Sequence, residues 1–466
     1  MHAAYAAITA LADAAATVAP EGDGKVVRSL RARRGLVARI QSRARQVRDR
    51  SRPLIWFHAP SVGEGLQARP VLHALRDAHP TWQFAYTFFS PSAERFAESL
   101  VADFTEYLPF DRARHADALL DAWQPSMLVF AKLDVWPVLV ARAAARGIPV
   151  LLISATVAEQ SGRVGWWSRQ LLRDAYSALT AVGAIDSANA ERLVSLGVSR
   201  DALCITGDTR FDQVWDRAQE ARGPLPLLAR LASSVPTLVA GSTWPADEAV
   251  LLQAWTAIHA TTTQRQATQG NASTGSATPP GNATTPTVRL VIAPHEPTPA
   301  HCASIERWAQ QSSLRLRLLS DIEADLRTAP HHAPADAPAD NVDVVLVDRI
   351  GVLGDLYALA DIAFVGGGFH TAGLHSVIEA AAFGVPALFG PHHHMSREAQ
   401  LLLTAGAAVT VRHAAELQGR IEAWLTDGAS REKAGAAARD VVVRERGATE
   451  RSVVLIERHV VHEGEV

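Results

Sequence analysis

Along the chain, short runs of almost unbroken apolar residues alternate with stretches whose apolar positions recur every three to four residues. The runs at 54–60 (LIWFHAP), 83–90, 126–131, 149–155, 178–185 and 203–208 read as buried strands, and 65–80 (GLQARPVLHALRDAHP) as the helix after the first. A strand that is apolar on both faces must be covered on both faces, which is the condition of a parallel sheet between layers of helices. A helical, Pro-containing stretch at about 213–236 breaks the rhythm. It restarts at 237–243, 288–295, 342–348, 362–368 and 385–391. Two such halves predict a bilobal, doubly wound α/β architecture. Ligands of these sheets bind beyond the carboxyl ends of the strands, so chemistry is expected at the strand-to-loop junctions, in a cleft between the halves.

Two segments fit neither half. Residues 261–287 (TTTQRQATQGNASTGSATPPGNATTPT) and 329–341 (APHHAPADAPADN) lack the bulky apolar side chains that would offset the entropy of ordering them, and are expected to be mobile surface insertions.

Composition changes the picture in four places. A net charge of −3 gives no global case for a nucleic-acid partner. Cys204 and Cys302 form no CxxC or Cys/His spacing, which argues against a disulfide framework or a structural zinc. The run His392-His393-His394 points its rings in different directions with no carboxylate at ligand spacing, so no metal is expected there. The fourth is local: between Lys25 and Arg52 stand eleven Lys/Arg and a single acid, Asp49, after a mildly apolar, Ala-rich stretch at 5–19. That stretch is too short to span a bilayer, and the order is wrong for a signal peptide. Residues 1–50 read either as a solvated, Arg-rich helix or as a surface anchor drawn to anionic lipid.

The junctions carry the candidate chemistry. HAPSVGEG (58–65) places Glu64 at a helix start after four small or turn residues; it is either a dipole partner or a catalytic carboxylate. FVGGGFHTAGLHSVIEAAAFGVPALFGP (364–391) puts a Gly triplet after a strand, then an Ala372-Gly373 turn and a helix with His375, Ser376 and Glu379. Glycines and a helix start suit a phosphate, and Glu379 is placed to accept hydrogen bonds from ribose hydroxyls. ITGDTRFD (205–212) offers Arg210, a donor fork for phosphate or carboxylate. VAGSTWPADE (239–248) offers Ser242, Thr243 and Glu248. VIAPHEP (291–297) offers His295, a phosphate donor or merely a capped loop residue.

Taken in order, HAPSVGEG, YLPFD (107–111), AKLDVWP (131–137), GDTRFD, AGSTWP, IAPHEP and the GGG…HSxxEA segment resemble the 3-deoxy-D-manno-octulosonic acid (Kdo) transferases from about Leu54 to Ala408. The resemblance implies a GT-B glycosyltransferase fold of two Rossmann-like domains and an enzyme that moves Kdo from CMP-Kdo to a lipid A precursor. It implies Glu64 as general base, Asp134 in the acidic-Trp-Pro motif, and Arg210 as the cation at the departing phosphate. Pro294-His295, Ile350-Gly351-Val352 and Ser376-Val377-Ile378-Glu379 would hold CMP, with no metal or further cofactor. Association with the cytoplasmic face of the inner membrane follows, and the basic segment takes the place of the family's anchor. The implied organisation is 1–50 membrane-associating, 51–215 acceptor-binding, 216–236 linker and 237–466 nucleotide-sugar-binding. Departures are Lys132-Leu133-Asp134 where Glu-Thr-Glu is usual, Pro294-His295-Glu296 for Pro-Arg-His, and Ser376-Val377-Ile378-Glu379 for Asn-Pro-Leu-Glu; they resemble a divergent branch. Rival readings are another GT-B transferase, a UDP-sugar epimerase, or a non-catalytic nucleotide-binding membrane protein, the last disfavoured by the presence of Glu64.

Overall fold

The computed structural model describes residues 2–157, 166–223, 225–272, 288–328, 342–371 and 373–460. The chain divides into two compact units, residues 1–213 with 445–466, and residues 214–444.

The first unit is built on seven parallel strands: β1 (Leu54–His58), β2 (Gln83–Phe88), β3 (Phe104–Tyr107), β4 (Met127–Ala131), β5 (Val150–Ala155), β6 (Ala181–Ala184) and β7 (Leu203–Ile205). They lie in the order β3-β2-β1-β4-β5-β6-β7. The strand order therefore reverses between β1 and β4, and the loops after these two strands frame the switch point where such sheets bind ligands. Central strands are buried along their whole length, as unbroken apolar runs require. The missed strand β3 (FTEY) lies at the sheet edge with its middle residues half exposed, so it carries no continuous apolar signal.

Residues 1–50 are part of this unit and not a separate segment. Leu36, Ile40 and Ala44, on the helix Leu36–Val47, are buried in its core. Arg33 is 6% exposed, and its guanidinium donates to the carbonyls of Leu108 (2.9 Å) and Phe89 (3.0 Å) while stacking on the Phe89 ring. Burial lowers its pKa to about 10. Arg48 donates to the Trp123 carbonyl at 2.6 Å, and Tyr5 to the Asp111 carboxylate at 2.9 Å. A solvated, Arg-rich helix is thus the wrong picture for Arg33 and Arg48: they hold loops together.

The second unit repeats the plan with β8 (Thr237–Thr243), β9 (Arg289–Pro294), β10 (Leu316–Leu318), β11 (Val344–Leu346), β12 (Ile362–Val365), β13 (Ala387–Phe389) and β14 (Ala408–Thr410), in the order β10-β11-β9-β8-β12-β13-β14. Its switch point lies between β8 and β12. The unanticipated β10 and β14 are three-residue edge strands, too short to register as runs. The supposed linker 216–236 is largely helical, within Arg210–Glu220 and Pro226–Leu231, and Leu231 is buried in the second unit. A domain running to 466 also needs correction. Ala448, Leu455 and Ile456 of the helix Ala448–Glu457 are buried, and Asp212 of the first unit accepts the N–H groups of Gly447 (2.6 Å) and Thr449 (2.7 Å). The helix Pro245–Ala272 runs through 261–272, so the first insertion begins later than its composition suggested. Residues 273–287 and 329–341 lie outside the described residues.

Candidate active site

In the first unit the loop after β1 leads into the helix Val62–Ala78, with Glu64 in its first turn. A side chain at Gly65 would run into the ring of Phe96 and the Tyr86 hydroxyl, so glycine lets this helix settle against β2. The Ser61 hydroxyl donates to Glu64 Oε2, and Lys132 Nζ, from the loop after β4, lies 3.2 Å from Oε1. Burial favours the neutral acid and is the largest influence on Glu64. The Ser61 hydrogen bond and the Lys132 charge outweigh it and hold the carboxyl below its usual range.

Asp134 stands two residues further along that loop. Its Oδ2 accepts the Trp136 indole N–H at 2.9 Å and faces His58 Nε2 at 3.8 Å. His58 is fully buried, with Nδ1 on the Thr87 hydroxyl, while Nε2 has no hydrogen-bond partner among the described residues. Arg210 opens the helix after β7. Asp208 engages its fork through both oxygens at 2.6–3.1 Å, so its charge is already partnered. Next to it, Thr209 donates to the Gln67 carbonyl on the helix of Glu64. Glu64, Lys132 and Asp134 come together at the switch point, and the Arg210 segment is tied to the same helix.

In the Gly triplet of the second unit the N–H groups of Gly366 and Gly367 already have acceptors within the fold, Gly366 on the Gly241 carbonyl at 2.9 Å. The Asp247 carboxylate, fully buried, accepts the N–H groups of Gly367 (2.7 Å), Phe369 (2.9 Å) and Trp244 (2.9 Å). A side chain at Gly366 would strike the Ser242 carbonyl, and one at Gly368 the backbone of Gly390; only Gly367 has a positive φ, +87°. The glycines therefore serve close backbone packing. Sequence reasoning chose Glu248 on this helix; that residue instead binds Thr243 (2.8 Å) and His301 (2.8 Å).

Around this loop four rings stack. Trp244 lies 4.4 Å from His370 and 4.6 Å from His295, and His295 lies 4.5 Å from His375. The Trp244 indole N–H donates to His375 Nε2 at 2.9 Å, which requires that nitrogen to be unprotonated. Burial, with His295 and His370 nearby, lowers the His375 pKa. Pro294 ends β9 beneath the exposed His295.

The helix bearing Glu379 is short, Ile378–Ala382, so His375 and Ser376 precede it. Val377 and Ile378 are buried, which leaves only their backbone to meet a ligand, whereas Ser376 is exposed. Burial raises the Glu379 pKa, against the opposing pull of Arg217 and Ser376. Arg217, which sequence reasoning missed, donates to Asp355 (2.8 Å) and to the Gly351 carbonyl (3.4 Å), and so links the Ile350–Val352 turn to Glu379. Gly351 has φ +94°, Ile350 is exposed and Val352 is buried. Ala372 lies outside the described residues.

Two doubly wound units, each with polar side chains gathered at its switch point, define a two-domain α/β enzyme of the GT-B type. Solved structures agree on the fold. UDP-GlcNAc 2-epimerase from Neisseria meningitidis bound to UDP-GlcNAc has a TM-score of 0.55 at 14% identity, covering 87% of this chain and 100% of that one. A putative UDP-N-acetylglucosamine 2-epimerase from Listeria monocytogenes has a TM-score of 0.54 at 12% identity, covering 84% and 94%. The sequence narrows the class. Residues 28–213 match the family model of 3-deoxy-D-manno-octulosonic-acid transferase (kdotransferase). The 3-deoxy-D-manno-octulosonic acid transferase of Bordetella pertussis is 28% identical over 86% of both chains, and that of Haemophilus influenzae 24% identical over 87% of both. The chain is a relative of the Kdo transferases, and it is a glycosyltransferase.

Proposed function

We propose that the protein transfers Kdo from CMP-Kdo to a lipid A precursor, with Glu64 as general base. The acceptor hydroxyl attacks the anomeric carbon while Glu64 takes its proton. The bond from that carbon to the phosphate oxygen breaks, and CMP departs with the electron pair. The observation that carries this reading is Glu64 itself: an ionised carboxylate at a switch-point helix start, within the segment that matches the transferase family. Asp134 acts beside it, through its place in the loop of Lys132. Arg210 stabilises the departing phosphate once Asp208 shares its fork. CMP lies against Pro294-His295, Ile350-Gly351-Val352 and Ser376–Glu379, with no metal ion called upon.

The chain is further proposed to work at the cytoplasmic face of the inner membrane. Among the described residues no helix is long and apolar enough to cross a membrane. Ile8, Leu11, Val18 and Val26 are nevertheless 65–78% exposed, beside a groove of about 330 Å³ lined by Ala12, Lys25, Val26, Leu30, Phe89 and Phe110. Apolar side chains interleaved with cations suit the boundary between acyl chains and anionic headgroups. The deciding experiment incubates the protein with CMP-Kdo and a tetra-acylated lipid A precursor and weighs the product. A mass gain of one or more Kdo units supports the proposal, and an unchanged acceptor with turnover of another donor overturns it.

A further inference from the structure

We infer that Lys132 is the positioning residue of this active site, fixing the carboxylate of Glu64 in one orientation and keeping it ionised before the acceptor arrives. The inference rests on the reading of Glu64 as the base.

The geometry is specific. Lys132 Nζ reaches Glu64 Oε1 across the β1/β4 switch point, while Ser61 takes Oε2 from the other side. Ser61, Lys132 and the backbone N–H of Glu64 itself donate to the carboxylate. Of its roughly four lone-pair positions that leaves one with which to accept the acceptor's proton. The backbone is set for this contact: Lys132 has φ +67°, a region that residues other than glycine seldom occupy. Its N–H donates to the Ile153 carbonyl (2.9 Å) and its carbonyl accepts the Thr156 N–H (3.2 Å), so the end of β5 holds it there. That end is itself irregular, with Ser154 at φ +49° and a register break between Leu152 and Ala155. An unfavourable conformation held from both sides at a strand end is what a functional constraint leaves behind.

Other charged groups near Glu64 do not supply this cation. The Tyr86 phenol, from β2, faces the same carboxylate, and burial keeps it protonated. Asp134, on the Lys132 loop, is turned to Trp136 and His58. On the helix of Glu64, Arg69 lies over the Phe96 ring, and His73 sits one turn further on, its pKa lowered by burial. From the helix Ala448–Glu457, which packs along it, Arg451 donates to the Thr206 carbonyl and Glu457 pairs with His79.

Lys132 is 43% exposed, and a pair so open to water adds little to stability, so its signature is catalytic. The test follows kcat/KM against pH for the wild type, K132M, K132R and E64Q, with CMP-Kdo and the tetra-acylated precursor. Without the ammonium the Glu64 pKa rises, and a shift of one pH unit is a tenfold loss of rate on the acid limb. K132M is expected to show that displacement, with activity recovering toward alkaline pH and an unchanged melting temperature, and K132R to restore the wild-type limb. K132Q carries the same comparison should K132M not fold. A wild-type acid limb in K132M or K132Q, with E64Q inactive, overturns the inference and leaves the base intact. An active E64Q removes the base and the inference together.

Discussion

Asp247 holds Gly367: its buried carboxylate accepts the glycine's N–H at 2.7 Å, across 120 residues of sequence. With the Trp244 and Phe369 bonds it pins the loop after β8 to the loop after β12, the two sides of the second unit's switch point. Asp247→Ala should therefore leave three backbone donors without their acceptor and destabilise this unit by about 3 kcal/mol or more. Denaturant unfolding monitored by circular dichroism measures it; a loss below about 1 kcal/mol would show that water replaces the carboxylate.

Glu64→Gln keeps the shape of the side chain and removes its basicity. The expected outcome is a fall in kcat of about a hundredfold to ten-thousandfold, with CMP affinity unchanged, because every recorded partner of Glu64 is in the first unit. Turnover assays and calorimetric titration with CMP separate the two quantities.

CMP should raise the melting temperature more than equal concentrations of UMP or UDP. A ligand bound only by the native state at a hundredfold above its Kd stabilises by about 2.7 kcal/mol. Equal protection by the three nucleotides would count against the CMP-Kdo assignment.

Truncation at residue 50 should unfold the first unit, since it removes Leu36, Ile40 and Ala44 from the core and Arg33 from two buried carbonyls. Arg33→Ala alone is expected to cost about 2–4 kcal/mol through those unpaired carbonyls and the emptied space. Deleting only residues 1–24 is the cleaner test of membrane attachment, read by sedimentation with anionic vesicles. A deletion variant that still co-sediments would leave the attachment to the remaining groove residues Lys25, Val26, Leu30, Phe89 and Phe110 or to a surface outside them.

Glu379 supplies a pH dependence of opposite sense to a salt-bridged acid. Burial raises its pKa, so the folded chain binds a proton more tightly than the unfolded chain. Its contribution to stability is present at low pH and is lost as pH rises from the ordinary carboxylate range through the raised value. Glu379→Gln should remove that loss. The variant gains stability relative to wild type at pH 7.5 but not at pH 4, while CMP binding weakens.

The central strands were legible because burial on both faces demands unbroken apolar runs such as LIWFH and MLVFA, whatever else surrounds them. The junction motifs were legible for a related reason: turns and helix starts use small and capping residues that stand out locally. The edge strands β3, β10 and β14 were not, because an edge needs only part of its length buried. What the sequence determined by itself was the alternation of elements, the two-unit plan and the position of Glu64 at a strand end. What only the tertiary structure decided was which charges meet. Lys132 lies 68 residues from Glu64, and Asp247 120 from Gly367. Periodicity fixes which face of an element is buried, but the partner of a polar side chain depends on how the strands are ordered in the sheet, which no local pattern encodes.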